Sequence, residues 1–126
     1  MHYTLELNDR PFQAIKSGTK KIEGRTPKDV DDKRYETMKR GDTIAFTNNV
    51  TLEKMQCEVL SVTHYRDVRT MLETEGTANV LSSGLDIEGG IRSYNSLEGY
   101  EDRIQQYGIY AIGIRLLTGQ DNKNVL

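Results

Sequence analysis

Alternating apolar and polar residues predict strands near both ends of the chain. Tyr3, Leu5 and Leu7 alternate with polar neighbours, which is the pattern of a half-buried strand. A short apolar run at residues 43–46 follows an Arg-Gly-Asp turn and predicts a second strand. Near the C-terminus, residues 109–116 place large apolar side chains on one face and small ones on the other. These segments predict a sheet that contains both ends of the fold.

A longer strand is predicted in the middle of the chain, where the apolar positions change phase. Met55, Cys57 and Val59 alternate first, and Leu60 and Val62 continue in the other phase. A strand that changes face midway is typical of a β-bulge, because one extra residue shifts every later side chain to the opposite face.

Apolar stripes with helical spacing predict four short helices between these strands. Their boundaries are predicted at Asn8 or Asp9 and Gly18, at Asp67 and Gly76, at Asp86, and at Tyr100 and Gly108. The polar segment 27–39 is predicted to be a loop with at most one helical turn. The sum of these elements indicates an α+β fold, a small and mainly antiparallel β-barrel with short helices inserted between strands.

Length and composition fit one domain. We expect residues 1–117 to form it and the polar residues 118–126 to be a flexible tail. The sequence contains no apolar run near the ~18 residues of a membrane span and no signal peptide pattern. With Cys57 as the single cysteine, we expect a cytoplasmic protein. His2 and His64 lie too far apart to suggest a zinc site.

Positive charge is concentrated in one part of the chain. Residues 10–40 contain ten Lys or Arg against five Asp or Glu, although the net charge of the whole chain is −2. The densest part is residues 20–25, which either bind a polar ligand or form a solvated strand edge with surface ion pairs. On a regular strand Glu23 and Arg25 share a face and Lys20 lies opposite. A contact between Lys20 and Glu23 therefore requires a bulge or an irregular loop.

Three motifs carry a family resemblance. They are the helix that ends at Gly18, the segment Lys20-Lys21-Ile22-Glu23-Gly24-Arg25, and Gly41-Asp42 before an apolar strand. Together they resemble the ASCH domain of the PUA-like barrel superfamily. Residues 68–76 are similar to a helix of that family and residues 107–114 to its closing strand, so that the resemblance covers residues 3–117. It implies a PUA-like barrel with RNA or a nucleoside-type small molecule as partner, and with no metal and no organic cofactor.

The implied ligand cleft has residues 20–25 as its floor. Aromatic and guanidinium planes elsewhere in the domain can stack on or clamp a base. The candidate ligand-binding residues are Lys20, Lys21, Glu23, Arg25, Tyr65, Arg66, Arg92 and Tyr94. The sequence leaves any protein partner open.

Enzymatic function is an alternative that the resemblance also implies. Some members of the family are reported ribonucleases, and one bacterial group removes the acetyl group from acetylated cytidine. The lysine of that group matches Lys20, but its nucleophilic threonine corresponds to Glu23. Its glutamate beyond the central strands has three candidates here, Glu73, Glu75 and Glu88. If the protein is an enzyme, it is a metal-independent hydrolase of acylated nucleosides or RNA with Lys20 and Glu23 as its catalytic pair.

The presence of Glu23 in place of that threonine argues against amide hydrolysis. A hydroxyl can attack an amide when a neighbouring amine takes its proton, and a carboxylate lacks that step. Lys21 and Arg25 should also lower the pKa of Glu23, since nearby positive charge favours the carboxylate. We therefore expect a poor amidohydrolase.

Overall fold

One curved, mixed sheet organises the protein. The computed structural model describes residues 1–117, which contain five strands and six helices. The predicted tail, residues 118–126, lies outside the described residues. The elements in chain order are β1 (His2–Leu7), α1 (Asp9–Ser17), β2 (Ile22–Arg25), α2 (Arg34–Thr37), β3 (Thr43–Asn48), β4 (Lys54–Tyr65), α3 (Val68–Glu75), α4 (Thr77–Val80), α5 (Ile87–Asn95), α6 (Tyr100–Tyr107) and β5 (Ile109–Leu116).

The sheet is a half-barrel whose two edges are β1 and β2. The strand order is β1-β3-β4-β5-β2. Three neighbouring pairs are antiparallel, and β1 and β3 are parallel. The predicted α+β class, the mainly antiparallel sheet and the inserted helices are confirmed. The barrel is open, a half-barrel, because β1 and β2 do not pair with each other within residues 1–117.

The predicted bulge in the central strand is present. Strand β4 pairs with β5 along most of its length, and the register shifts between Val59 and Ser61. The extra residue is Leu60, which is 37% exposed although its neighbour Val59 is fully buried. The bulge thus explains the change of phase in the apolar pattern.

Apolar side chains pack on both faces of the sheet. One cluster joins α1 and α2 to β1, β3, β4 and β5, and the other joins α3 to α6 to the opposite face. Strand β5 contributes to both, with Ile112 and Ile114 in the first cluster and Ile109 and Ala111 in the second. The helices after β4 therefore form a layer of their own, and the loops that connect them reach the edge of the sheet at β2.

Two parts of the fold differ from what the apolar pattern predicts. The single turn expected within residues 27–39 is α2, but Tyr35 and Met38 in this polar segment are buried core residues. Helix α4 was not predicted, because its four residues are too few to show a helical period. Within residues 1–117 no helix is long and apolar enough to cross a membrane.

Substitution of Gly108 should test how closely α6 and β5 meet β4. Gly108 has φ +77°, and a Cβ there would lie 2.4 Å from the backbone oxygen of Tyr65. We expect Gly108→Ala to lower the free energy of unfolding by about 2–4 kcal/mol, since it combines left-handed strain with a backbone clash. Gly41→Ala is the matched control, because Gly41 has φ +93° with no atom within 4 Å of its added Cβ. It should cost only about 1–2 kcal/mol. Equal losses in urea unfolding would show that the clash is relieved.

Candidate functional site

A cleft lies where the two edges of the half-barrel approach each other. Its volume is about 340 Å³. The walls come from the end of β1, the start of α1, strand β2, the loop after α4, and the α5–α6 region. The lining residues are Glu6, Leu7, Asn8, Arg10, Pro11, Lys20, Glu23, Gly24, Arg25, Asn49, Val80, Leu81, Ser82, Ser83, Ser93, Tyr94, Leu97, Glu98 and Tyr100.

Arg25 connects the two edge strands across this cleft. It lies at the end of β2, and its Nη2 donates to the backbone oxygen of Glu6 in β1 at 2.6 Å. Its Nε donates to Oε2 of Glu23, also at 2.6 Å. The Arg25 side chain therefore bridges β1 and β2, which backbone hydrogen bonds would join in a closed barrel. The cleft is the space that remains beside this side chain.

Lys20 reaches the same place from the other side. Helix α1 ends at Gly18 in the left-handed conformation, and the amides of Thr19 and Lys20 both donate to the backbone oxygen of Ala14. The chain is thus still irregular at Lys20, before β2 begins at Ile22. This geometry confirms the irregular loop that a Lys20–Glu23 contact requires.

The amino group of Lys20 is enclosed by three acceptors. Nζ donates to the backbone oxygen of Ile22 at 2.6 Å and to that of Val80 at the end of α4. It lies 3.4 Å from Oε1 of Glu23. Lys20 consequently ties the helical layer to β2 as well as neutralising Glu23.

Glu23 is the centre of a buried ion triad with Lys20 and Arg25. Lys20 is 5% exposed and Glu23 is 7% exposed, so that the alternative of a solvated ion cluster is wrong for these two residues. Lys21 is exposed and does not line the cleft. Of the charged residues in segment 20–25, three therefore form the triad inside the protein and Lys21 lies on its surface.

The contacts within the triad favour the charged forms of Glu23 and Arg25, whereas burial acts against the charge on Lys20. Burial acts to raise the pKa of Glu23, but Arg25 and Lys20 outweigh it and the pKa lies below its ordinary value. Burial lowers the pKa of Lys20, and the Glu23 carboxylate offsets part of this effect. For Arg25 burial opposes the charge, yet the contact with Glu23 raises its pKa. The cleft thus contains an ionised carboxylate held between the Arg25 guanidinium and the Lys20 amino group.

Tyr94 forms an aromatic wall beside the triad. A Cβ at Gly24 would lie 2.5 Å from the Tyr94 hydroxyl, so that only glycine at this position of β2 admits the ring. Tyr94 stacks on Tyr100 with a centroid distance of 6.4 Å, and the Arg103 guanidinium lies 4.9 Å from the centre of the Tyr100 ring. Of the predicted base-stacking residues, the structure brings only Tyr94 to the cleft.

The other predicted site residues lie elsewhere. Tyr65 donates to Glu75, and Arg66 is paired with Asp67 at 3.4 Å. Arg92 is exposed on α5, and none of Tyr65, Arg66 and Arg92 lines the cleft. The three glutamates proposed for a catalytic set are equally remote from it, since Glu73, Glu75 and Glu88 are absent from the lining.

Several lining residues were missed by the sequence reasoning. They include Glu6, Asn8, Arg10, Asn49, Ser82, Ser83, Ser93 and Tyr100. Two sequence signals were available, a polar run directly after the first strand and a Ser-Ser-Gly loop directly after an apolar pair. Neither could be assigned to the cleft without knowing that β1 and β2 are the two edges of the sheet. Within residues 1–117 no group of three or more His, Cys, Asp or Glu side chains is placed to hold a metal ion.

Comparison with known proteins identifies the family. A model of the ASCH domain family matches residues 5–118. The chain belongs to the ASCH domain family. Its α+β half-barrel is accordingly a PUA-like fold, and the resemblance carried by Gly18, residues 20–25 and Gly41-Asp42 is confirmed.

Two solved structures are similar to this ASCH domain over nearly its whole length. The crystal structure of hypothetical protein PH0355 has 34% sequence identity and a TM-score of 0.78, and covers 93% of this chain and 100% of its own. The solution NMR structure of protein PF0455 from Pyrococcus furiosus has 35% identity and a TM-score of 0.70, with 93% and 98% covered. No curated protein of known function matches the chain.

Removal of the charge on Glu23 should destabilise this ASCH domain strongly. In Glu23→Gln the buried Lys20 and the half-buried Arg25 lose their common anion, and we expect a loss of roughly 3–5 kcal/mol at pH 7. Glu98→Gln is the control, because Glu98 is an exposed glutamate of the same cleft and should cost less than about 0.5 kcal/mol.

The effect of Glu23 should also depend on pH. Since its folded-state pKa lies below the ordinary value of 4.5, the carboxylate stabilises the fold above about pH 4.5. This contribution is lost as the pH falls through the lowered pKa, so that the difference between parent and Glu23→Gln should shrink in acid. A difference in unfolding free energy that is constant from pH 7 to pH 3 would contradict the ionised triad.

Proposed function

We propose that this ASCH domain binds a nucleoside unit in the cleft between β1 and β2, either as a free nucleoside or as an unstacked residue of RNA. The observation that carries the proposal is the buried triad of Lys20, Glu23 and Arg25 on the floor of a cavity of about 340 Å³. Small-molecule sites range from about 300 to 1,000 Å³, so this cavity suits one base with its sugar. A longer segment of nucleic acid would have to continue outside it.

The charges of the cleft favour a nucleoside over a chain of phosphates. Its lining contains three acidic side chains, Glu6, Glu23 and Glu98, against the three basic ones of Arg10, Lys20 and Arg25. Lys20 and Arg25 already donate to Glu23 and to backbone oxygens. RNA backbones are bound mainly by Lys and Arg that neutralise phosphates. This cleft offers Arg10 alone as an exposed basic side chain, which is a weak basis for phosphate binding.

The polar walls supply groups that suit a ribose. Ser82 and Ser83 contribute hydroxyls from the loop after α4, and Ser93 contributes another from α5. Asn8 and Asn49 are joined by a 2.7 Å hydrogen bond at the wall formed by the starts of α1 and of the β3–β4 turn. Hydroxyl and amide groups of this kind fix the orientation of a bound ligand through paired hydrogen bonds.

A substitution at the mouth of the cleft should weaken binding without affecting stability. Leu97 lines the cleft and is 40% exposed, and Leu85 is similarly exposed at 43% but lies outside the lining. We expect Leu97→Ala to weaken nucleoside binding about three- to tenfold, since apolar contact with the ligand is lost. Leu85→Ala should leave the affinity unchanged. Equal affinities of both variants and the parent in calorimetric titrations would place the ligand elsewhere.

Salt dependence separates a nucleoside from an RNA strand. The affinity for a free nucleoside should be insensitive to salt, because no phosphate is contacted. For single-stranded RNA each neutralised phosphate adds about −0.7 to the slope of log K against log salt. A steep slope, together with no binding of free nucleosides, would favour an RNA-backbone interface over the proposed cleft.

Hydrolysis is less well supported than binding, although Lys20 and Glu23 are in contact. The Lys20 amino group has three acceptors around it, two backbone oxygens and the Glu23 carboxylate, and this arrangement favours the ammonium form over a free base even though burial lowers the pKa of Lys20. Glu23 has a lowered pKa and is therefore a weak base. The position that carries a threonine in the deacetylating group of the family holds this carboxylate instead.

Incubation with acetylated cytidine should therefore release little cytidine. Glu23→Thr should raise the yield if Lys20 loses its anion and becomes a base, provided that circular dichroism shows the variant to be folded. Strong turnover by the parent that is lost in Glu23→Gln would show that Glu23 activates water. It would make the protein a hydrolase.

A further inference from the structure

We infer that Glu23 makes the cleft selective for nucleobases that carry an exocyclic amino group, which donates a hydrogen bond to the Glu23 carboxylate. This inference rests on the proposed function and specifies the ligand of the same site. It follows from counting the hydrogen-bonding capacity of each member of the triad.

The donors of Lys20 are fully used within the protein. An ammonium group has three N–H donors, and Lys20 directs them at the backbone oxygens of Ile22 and Val80 and at Oε1 of Glu23. Lys20 therefore fixes Glu23 in place but has no donor left for a ligand.

The acceptor capacity of Glu23 is only partly used. An ionised carboxylate accepts at about four positions. Among the described residues Glu23 accepts from Arg25 at 2.6 Å through Oε2 and faces Lys20 at 3.4 Å through Oε1, so that about two of the four positions are occupied. Because Glu23 also lines the cavity, its remaining lone pairs are available to a ligand. The floor of the cleft thus offers a buried, negatively charged acceptor.

A fixed acceptor of this kind discriminates between base edges. An amino group places an N–H donor against the carboxylate, whereas a keto oxygen at the same position places a lone pair against a negative charge. Carboxylates accept from the amino group of cytosine in nucleic-acid recognition. A site built around a buried polar group rejects the analogue that leaves this group unpaired. Glu23 cannot turn away from the cleft without leaving Lys20 and Arg25 buried and unpaired.

Matched nucleosides test the inference on the unmodified protein. Isothermal titration calorimetry would compare cytidine with uridine and with N4,N4-dimethylcytidine, which keeps the nitrogen but lacks its N–H donors. It would also compare adenosine with purine riboside, which lacks only the amino group. In each series that binds, we expect the amino-bearing nucleoside to bind about tenfold or more tightly than its partner.

The outcomes separate this inference from the proposed function. Nucleosides that bind with equal affinity, or a keto or dimethylated partner that binds more tightly, would overturn the selectivity and leave the nucleoside cleft standing. If no nucleoside binds, the proposed function fails and the inference fails with it.

Glu23→Asp provides a second measurement, because it keeps the charge between Lys20 and Arg25 but withdraws the carboxylate from the ligand. It should reduce the preference for the amino group to less than about threefold, and an unchanged preference in this variant would overturn the role of Glu23.

Discussion

The contact between Arg25 and Glu23 is the interaction on which the rest of the site depends. Burial of charged groups such as Lys20 and Glu23 is costly, and it is tolerated only when each charge has good partners. Here the partners come from three parts of the fold, because Arg25 also binds the Glu6 oxygen of β1 and Lys20 also binds the Val80 oxygen of α4. The two cations that neutralise Glu23 of β2 therefore also hold β1 and the helical layer in position next to β2.

The half-barrel explains why a cleft exists at this position. Sheet edges expose unpaired backbone groups, and a closed barrel removes them by pairing its first and last strands. In this protein β1 and β2 are joined by the long side chain of Arg25, which spans more space than a direct backbone pair. Because Gly24 of β2 has no side chain, the ring of Tyr94 from α5 can pack against this strand. A gap in the ladder thus becomes a cavity with a charged floor and an aromatic wall.

Much of the fold was predictable from the sequence because period and turn residues act locally. The end strands, the bulge near Leu60 and the caps at Asp67 and Asp86 all follow from short-range patterns, and the structure contains each of them. The burial of Tyr35 was not predictable in the same way. Its neighbours are charged, and only the position of α2 over the sheet brings this ring into the core.

The site was predictable only where its residues are close in sequence. Lys20, Glu23 and Arg25 were expected together because they are within six positions, although their burial depends on walls supplied by remote segments. Tyr65 and Arg66 were chosen as stacking residues because aromatic and guanidinium planes can stack on a base, but that end of β4 does not reach the cleft. Tyr100 does reach it, and its helix gave no sign of this because Tyr100 also fits the apolar stripe of α6.

Under the proposed function, the triad serves ligand binding rather than stability. Well-packed apolar residues of similar volume often replace buried ion pairs with no loss of stability. A buried charge at the floor of an open cavity therefore needs another reason. The hydrogen bonds suggest that reason. The donors of Lys20 are all used within the protein, but the Glu23 carboxylate, which lines the cavity, keeps acceptor positions free. The same contacts that hold Glu23 ionised withdraw Lys20 from proton transfer, so that features favouring recognition of a donor weigh against catalysis at the same atoms.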